Sequence, residues 1–251
     1  MPDFIELSGP ESARLTADSV AVLPLGAVEQ HGPHLPLSTD FTIASATADA
    51  AVSAAGDNFW LLPALAYTKS DEHAWSSGTL WLSWDTVMRM LVDIGNSLAA
   101  SPVRRLVFLN GHGGNSALLQ VACRELRRRF GFKTFLMHPG VPPDQGGVSP
   151  AGELGMGIHG GLNETSVMLH LRPDLVHLDL AVRSVPESLT DYEYVGFGKQ
   201  VSFGWLSDDF GTNGTIGDPT GATPELGKRL FEAGVGKCAA AFAEIARFSP
   251  S

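Results

Sequence analysis

The segment from Glu29 to Asp40 carries the residues of this chain that are best suited to metal chemistry. Two carboxylates, Glu29 and Asp40, and two imidazoles, His31 and His34, follow an apolar run that predicts a buried strand. Carboxylate oxygens and imidazole nitrogens together favour a divalent transition metal such as zinc, manganese or iron. Because Glu29 and His31 are two positions apart, an extended backbone directs both side chains to one side. The glycine and prolines that follow predict a loop that brings Asp40 back toward them.

A glycine-rich loop follows a second apolar run. Residues 104–110 form a short apolar run bounded by charge, which predicts a strand, and the chain continues directly as Gly-His-Gly-Gly-Asn. His112 in this loop is therefore expected just beyond the carboxyl end of a strand, where open α/β sheets bind ligands. Asn110 is expected to support the ligands from behind, whereas turn formation explains Asn115 equally well.

A third segment, 157–166, contains a histidine and a glutamate on either side of a glycine pair. Glu164 falls in the first turn of a predicted helix that Pro173 ends. The helix dipole stabilises a carboxylate there, so helix capping explains Glu164 as well as metal binding does. His159 lies on a tightly turned loop beside this carboxylate, an arrangement that indicates proton transfer.

Strand and helix patterns alternate along the chain. This alternation predicts an α/β fold in three layers, a mostly parallel sheet flanked by helices, as a single domain over residues 1–251. The predicted strands cover residues 20–25, 59–62, 104–110 and 133–137, and the main predicted helices cover residues 41–55, 84–100, 116–130 and 224–248. Ser83 and Thr223 are the expected N-caps of two of these helices. Two long stretches, 139–157 and 191–217, are typical of lids, subunit contacts or substrate walls.

Composition and charge agree with a globular enzyme. The chain has 251 residues, 44% of them hydrophobic, and a formal net charge of −10. That charge argues against a nucleic-acid partner, and the four arginines between positions 124 and 129 are typical of a solvated helix face. Cys123 and Cys238 lie far apart in helical patterns, so we expect them to be small buried residues and not part of a disulfide framework. Because the sequence shows neither a signal segment nor a long apolar run, we expect a cytoplasmic protein without membrane contact.

Together, the three segments resemble the signature motifs of the creatininase (creatinine amidohydrolase) family. The motifs Glu-x-His with Pro-His-x-Pro and an aspartate, Asn-Gly-His-Gly-Gly-Asn, and His-x-Gly-x-x-Glu-Thr-Ser occur in the family's order and rough spacing. Residues 216–223 also resemble the family's C-terminal Gly-Asp-Pro signature, so the resemblance spans nearly the whole chain. It implies a creatininase-like fold and a dinuclear metal hydrolase that acts on amide C–N bonds.

The resemblance also implies a ligand set for two divalent metal ions per chain. Glu29 would bind one ion and His31 the other, with Asp40 bridging both. His112 would complete the set of the first ion. Zinc is the expected metal, with manganese or iron as alternatives.

Two departures from creatininase proper bear on the ligands and on the substrate. This chain has Gly114 where that enzyme has a glutamate, so the second ion lacks a ligand, and Glu164 is expected to replace it. It has Gly155 where that enzyme has a tryptophan that closes over creatinine. Creatinine itself is therefore not the expected substrate.

We expect a metal-dependent amidohydrolase that cleaves a non-peptide C–N bond of a small cyclic amide or formamide-like compound. A metal-activated water would attack the carbonyl, and His159 would pass a proton to the leaving nitrogen. Two alternatives stay open. One is a peptidase of the mycofactocin-precursor type, which needs an open groove where a small cyclic amide needs a closed pocket. The other is a metal-binding assembly protein without catalytic activity.

Two further histidines and the tryptophans complete these expectations. His34 is expected to support the metal ligands, and His73 either contacts substrate or packs its own loop. The resemblance implies a homohexamer that acts on a small-molecule substrate. Five tryptophans, several of them in predicted loops, agree with this because tryptophan often anchors subunit interfaces.

Overall fold

Four parallel strands form the sheet in the computed structural model, which describes residues 3–140 and 147–249. The strands are β1 (Val20–Leu25), β2 (Phe59–Leu61), β3 (Arg105–Asn110) and β4 (Lys133–Met137), in the spatial order β2-β1-β3-β4. The central strands β1 and β3 pair along their whole length, from Val20 opposite Arg105 to Leu25 opposite Asn110. All pairings among these four strands are parallel, as the sequence predicts.

Helices cover both faces of the sheet and produce the predicted three layers. The α-helices of the described residues are α1 (Thr39–Ala55), α2 (Trp84–Ala99), α3 (Ser116–Phe130), α4 (Leu162–Leu171) and α5 (Pro224–Arg247). α2 and α3 pack against one face of the sheet, and α1 and α5 pack against the other. α4 lies against α5. No helix among the described residues combines the length and the apolar character needed to cross a bilayer.

Burial on both faces holds the middle of the sheet in place. Alternate residues of β1 enter different cores, because successive side chains of a strand point to opposite faces. Ala21 and Leu23 join the core formed with α2 and α3, whereas Val20 and Val22 join the core formed with α1 and α5. The loops that leave the carboxyl ends of β1 and β3 therefore start from a rigid base.

The start of α1 differs from the sequence-based expectation. We expected the helix to begin near residue 41, but it begins at Thr39, so Asp40 lies in its first turn. The Thr39 hydroxyl donates to the backbone oxygen of Pro36 at 2.7 Å, and the amide of Thr42 donates to Ser38 at 2.8 Å. The helix dipole favours a carboxylate in the first turn. The hydrophobic pattern does not show this effect, so it places the start of the helix too late.

The two long stretches contain short turns and no long helix among their described residues. The stretch 139–157 includes residues 141–146, which lie outside the described residues. In the stretch 191–217, four aromatic rings pack together, and Phe197 lies 5.5 Å from Phe203, 5.6 Å from Trp205 and 5.5 Å from Phe210, centroid to centroid. These four partly buried rings form an aromatic cluster within the segment.

Candidate metal centre

The central strands bring the predicted ligands to one edge of the sheet. Glu29 and His31 lie on the loop after β1, and His112 lies just after β3. Because these strands are adjacent and parallel, both loops begin at the same edge. The first turn of α1 contributes Asp40 and that of α4 contributes Glu164. The structure therefore brings all five predicted metal ligands together.

The ligand atoms form two groups that share Asp40. In the first group, Nδ1 of His112 lies 2.8 Å from Oδ2 of Asp40 and 3.3 Å from Oε2 of Glu29. In the second group, Nε2 of His31 lies 3.1 Å from Oδ1 of Asp40 and 3.6 Å from Oε1 of Glu164. Within each group the ligand atoms lie within 4.8 Å of one another. Each group can therefore offer three ligands to a metal ion.

One oxygen of Glu29 shows that these residues fit a cation. Oε1 is buried and has no hydrogen-bond partner among the described residues. Nitrogens of His73, His159 and His31 lie 3.5, 3.6 and 3.7 Å from it. The other oxygen, Oε2, accepts a hydrogen bond from the Ser70 hydroxyl. A buried carboxylate oxygen without a hydrogen bond is costly unless it binds a cation, so this centre suits a divalent metal.

Buried carboxylates and imidazoles face each other in this centre and shift one another's pKa. Burial alone would lower the pKa of His31, but Asp40 and Glu164 outweigh it and hold that pKa well above its usual value. The pKa of His112 is likewise raised against the effect of burial, by Glu29 and Asp40. Burial would raise the pKa of Asp40, but the two histidines hold it well below its usual range. In the described part of the chain these carboxylates face imidazoles and no lysine or arginine.

Glu164 is the most exposed of the predicted ligands. Its side chain is 26% exposed and lines the cleft described below. Oε2 accepts a hydrogen bond from the amide of Gly160 at 2.7 Å, which ties Glu164 to the loop that carries His159. Desolvation raises the pKa of Glu164 above its ordinary value, and His31 opposes that shift. The Glu164 carboxylate therefore bonds to the backbone next to it through one oxygen and faces His31 with the other.

His159 turns one ring nitrogen toward the centre and the other away from it. Nε2 lies 2.6 Å from the backbone oxygen of Gln30 and donates to it, which leaves Nδ1 facing Glu29 at 3.6 Å. Burial lowers the pKa of His159 well below its usual value, and the nearby His31 and His73 lower it further. A neutral imidazole in this position suits proton transfer. Nδ1 also lies within 4.8 Å of ligand atoms of Glu29 and His31, so His159 can also serve as a ligand.

His73 packs beside His159 and lines the cleft. The two rings stack with their centroids 4.1 Å apart. Nδ1 of His73 accepts a hydrogen bond from the side-chain amide of Gln30 at 2.9 Å, and burial lowers the pKa of His73. His73 is therefore held by Gln30 and His159, and it also faces the cleft in which a substrate would lie.

Two predicted supporting residues lie behind the ligands. Nε2 of His34 lies 3.1 Å from the backbone oxygen of Gly160 and 3.0 Å from the hydroxyl of Thr165, and burial lowers the pKa of His34 to about 4. The side-chain amide of Asn110 donates to the backbone oxygen of His112 at 2.7 Å and accepts from its N–H at 3.3 Å. His34 thus supports the loop before Glu164, and Asn110 clamps the backbone of His112.

Three polar residues that the sequence did not single out complete the centre: Ser70, Gln30 and Glu72. Ser70 fixes the Glu29 carboxylate, and Gln30 bonds His73 through its side-chain amide and His159 through its backbone oxygen. Glu72 lies 3.3 Å from the outer nitrogen of His112. Gln30 could have been noticed because it stands between two predicted ligands. Ser70 and Glu72 belong to a distant loop whose residue types alone do not indicate where it lies.

The centre opens into a cleft of about 690 Å³. Part of the lining is polar and includes Lys69, Glu72 and His73. Another part is largely apolar and comes from α1, α3, α4, α5 and the aromatic cluster: Ile43, Ala117, Val167, Leu230, Phe231, Phe203 and Trp205. A substrate in this cleft would therefore contact the metal ligands and an apolar wall together.

Comparison with known protein families and sequences gives a consistent result. Residues 6–242 match the family model described as Creatininase, creatinine amidohydrolase. A mycofactocin precursor peptide peptidase of Mycobacterium ulcerans (strain Agy99) is 35% identical over 262 residues, covering 100% of this chain and 94% of that protein. A creatinine amidohydrolase of Pseudomonas putida is 35% identical over 201 residues, covering 72% of this chain and 75% of that protein.

Solved structures agree with the sequence comparison. A manganese form of creatininase superposes with a TM-score of 0.75 at 31% identity, covering 98% of each chain. A mutant creatininase of the Zn–Zn type superposes with a TM-score of 0.73 at 29% identity, covering 98% of this chain and 97% of that one. These neighbours are metal forms of one enzyme, and the present chain also has groups of side chains that could hold a metal ion. By its motifs, its fold and its metal-ligand groups, this chain belongs to the creatininase family of metal-dependent hydrolases.

Proposed function

We propose that this chain hydrolyses an amide bond in a peptide substrate, and that the mycofactocin precursor peptide is the substrate to test first. The observation that carries this proposal is the cleft of about 690 Å³ that leads to the metal centre. Ligand sites of about 300–1,000 Å³ accommodate ligands much larger than a single five-membered ring. A cleft of this size has room for part of a peptide, and the similarity of the whole chain to a mycofactocin precursor peptide peptidase favours a peptide over a small ring.

Position 155 lacks the tryptophan side chain that closes over creatinine in creatininase proper. Gly155 has a φ of +78°, and a Cβ built on it would meet nothing within 4 Å. The similarity to the mycofactocin precursor peptide peptidase, which covers the whole chain, points the same way. This proposal departs from the small cyclic amide that we expected from the sequence.

The centre's own residues divide the work between metal binding and proton transfer. Glu29, Asp40 and His112 would hold one divalent ion, and the group of His31, Asp40 and Glu164 would hold a second. When bound, such ions supply a water of lowered pKa and polarise the carbonyl group of the substrate. Nδ1 of the neutral His159 faces the centre, where it can take up a proton and release it to the leaving nitrogen.

The test uses purified protein loaded with Zn²⁺ or with Mn²⁺ and a synthetic mycofactocin precursor peptide. Mass spectrometry should show two peptide fragments whose masses sum to that of the substrate plus one water. The metal-free protein and Asp40→Asn, which removes the shared ligand, should leave the peptide intact. An intact peptide after incubation with either metal-loaded form would contradict this assignment.

A small cyclic amide or formamide-like compound is the second candidate substrate. The similarity to the Pseudomonas putida creatinine amidohydrolase supports it, and Phe203 and Trp205 in the cleft lining offer rings on which a planar substrate could stack. A panel of creatinine, other cyclic amides and formamides in the same assay separates the two candidates. A kcat/KM of about 10⁴ M⁻¹s⁻¹ or more on a panel member, with no peptide cleavage, would establish the second candidate.

A further inference from the structure

The outer edge of the His112 imidazole is held as tightly as its metal-facing edge. Nδ1 faces Asp40 at 2.8 Å, so Nε2 points away from the ligand group. Nε2 lies 2.8 Å from the backbone oxygen of Lys69 and 3.3 Å from Oε1 of Glu72. A neutral imidazole carries one N–H, and Nδ1 has a free lone pair for a metal only when that N–H is on Nε2. The two outer oxygens favour this tautomer.

Glu72 is fixed by contacts on its other side. The residue is 8% exposed, and its Oε2 accepts a hydrogen bond from the ammonium group of Lys69 at 2.9 Å. Its backbone oxygen accepts a hydrogen bond from the Ser207 hydroxyl at 3.1 Å. These contacts direct Oε1 at His112. The backbone contact does not depend on the side chain, so a substitution of Glu72 leaves this loop anchor in place.

Gly114 makes the approach of Glu72 to His112 possible. A Cβ at position 114 would lie 1.8 Å from Oε1 of Glu72 and 2.5 Å from Nε2 of His112. Real Cβ atoms essentially never come within 3.0 Å of a non-bonded heavy atom, so a side chain there would displace the carboxylate or the ring. Gly114, which stands where creatininase proper has a glutamate, thus leaves room for the carboxylate of Glu72 from another loop.

We propose that Glu72 is a positioning residue for the metal centre, acting through His112. Together with the closer backbone oxygen of Lys69, its carboxylate holds the Nε2–H tautomer and the ring orientation of His112, and its charge makes Nδ1 a stronger metal ligand. Carboxylates that contact the outer nitrogen of a metal-bound histidine act in this way, and their loss weakens metal binding by about 10–100-fold. The proposal concerns metal affinity, so it does not depend on which substrate the protein cleaves.

The test compares Glu72→Gln with Asp71→Asn. Asp71 is the matched control because its carboxylate, like that of Glu72, pairs with Lys69, with Oδ1 at 2.7 Å from Nζ. The Asp71 side chain is 47% exposed, and the structure shows no contact between it and His112. Zn²⁺ affinity of the metal-free proteins is measured by competition with a chromophoric chelator. We expect Glu72→Gln to bind Zn²⁺ at one site about 10–100-fold more weakly than wild type. Asp71→Asn should bind as wild type does.

Two further measurements separate positioning from general stability. The visible spectrum of the Co²⁺-loaded protein should change in Glu72→Gln and stay unchanged in Asp71→Asn. The thermal unfolding temperature of both metal-free variants should match that of the metal-free wild type. Glu72→Asp keeps the charge but withdraws it from His112, so it serves if Glu72→Gln does not fold, and it should also weaken Zn²⁺ binding. Wild-type affinity in the Glu72 variants, or an equal loss in Asp71→Asn, would overturn the proposal.

Discussion

The two oxygens of Asp40 face different imidazoles, Oδ1 toward His31 and Oδ2 toward His112. A carboxylate placed between two nitrogen ligands can bridge two cations, because each oxygen retains a lone pair for one of them. Asp40 also lies in the first turn of α1, where the helix dipole stabilises its negative charge. At the scale of single residues, Asp40 therefore links the two ligand groups.

Glu164 provides the test of the second ligand group. Elemental analysis of the purified wild-type protein should find about two divalent ions per chain, the number typical of bridged carboxylate centres. Glu164→Gln should fall toward about one, because the amide keeps the shape of the side chain but loses the charge that faces His31. If Glu164→Gln retains the wild-type metal content, the fifth ligand has been assigned wrongly.

His159 should affect turnover without affecting metal content. Replacing His159 by Ala should lower kcat by about 10²-fold or more, because the group that moves the proton is lost. Metal analysis of the same variant should match wild type, since the two groups built around Asp40 remain. Loss of an ion from His159→Ala would identify His159 as a ligand of the group that it forms with Glu29 and His31.

At the scale of elements, the two predicted N-caps behave differently. The Thr223 hydroxyl accepts a hydrogen bond from the amide of Leu226 at 3.1 Å and so caps α5, as we expected. Ser83 precedes α2 but makes no such bond to the backbone, because its hydroxyl contacts the side chains of Asp85 and Thr86. The same sequence signal therefore marks both helix starts but predicts the capping bond in only one.

Alanine substitution distinguishes these two caps. Thr223→Ala should reduce the free energy of unfolding by about 1 kcal/mol, the usual loss when a bonded N-cap side chain is removed. Ser83→Ala should have a much smaller effect, since no backbone donor loses its partner. Chemical denaturation of both variants in the same metal-loaded state provides the measurement. Equal losses in the two variants would mean that the hydroxyl contacts do not control helix stability here.

At the scale of the whole molecule, charge and apolar surface bear on the partners. Arg128 and Arg129 both pair with Glu125 on α3. Trp60 is buried in the core, whereas Trp81 is 44% exposed and Trp84 is 64% exposed. Exposed tryptophans of this kind are enriched in subunit interfaces. We therefore retain the expectation of a homo-oligomer that does not bind nucleic acid.

Assembly is tested in solution. Light scattering at micromolar concentration should give the mass of a homohexamer, as the family resemblance implies. Trp84→Glu should reduce that mass, because burying a charge at an interface is unfavourable. Val121→Ser, which changes another residue that is 57% exposed, serves as the control and should leave the mass unchanged. A monomeric wild-type protein would contradict both the interface and the implied hexamer.

The sequence by itself determined the class of fold and which residues are the candidate metal ligands. Apolar runs and the alternation of patterns predicted β1, β3 and the flanking helices, because burial on one or both faces leaves a regular trace in neighbouring residues. The dense grouping of carboxylates and imidazoles between Glu29 and Asp40 likewise depends on positions close in the chain. This segment and the family resemblance together named five candidate ligands, and the structure brings all five together.

Only the tertiary structure decided how those ligands are held. Ser70 and Glu72 reach the centre from a loop that is distant in sequence from the residues they contact, Glu29 and His112. A contact of this kind depends on how β1 and β3 lie side by side and on the room that Gly114 leaves. Residue type and spacing do not predict these contacts, because the energy of a hydrogen bond or ion pair depends on positions in space that only the packed chain defines.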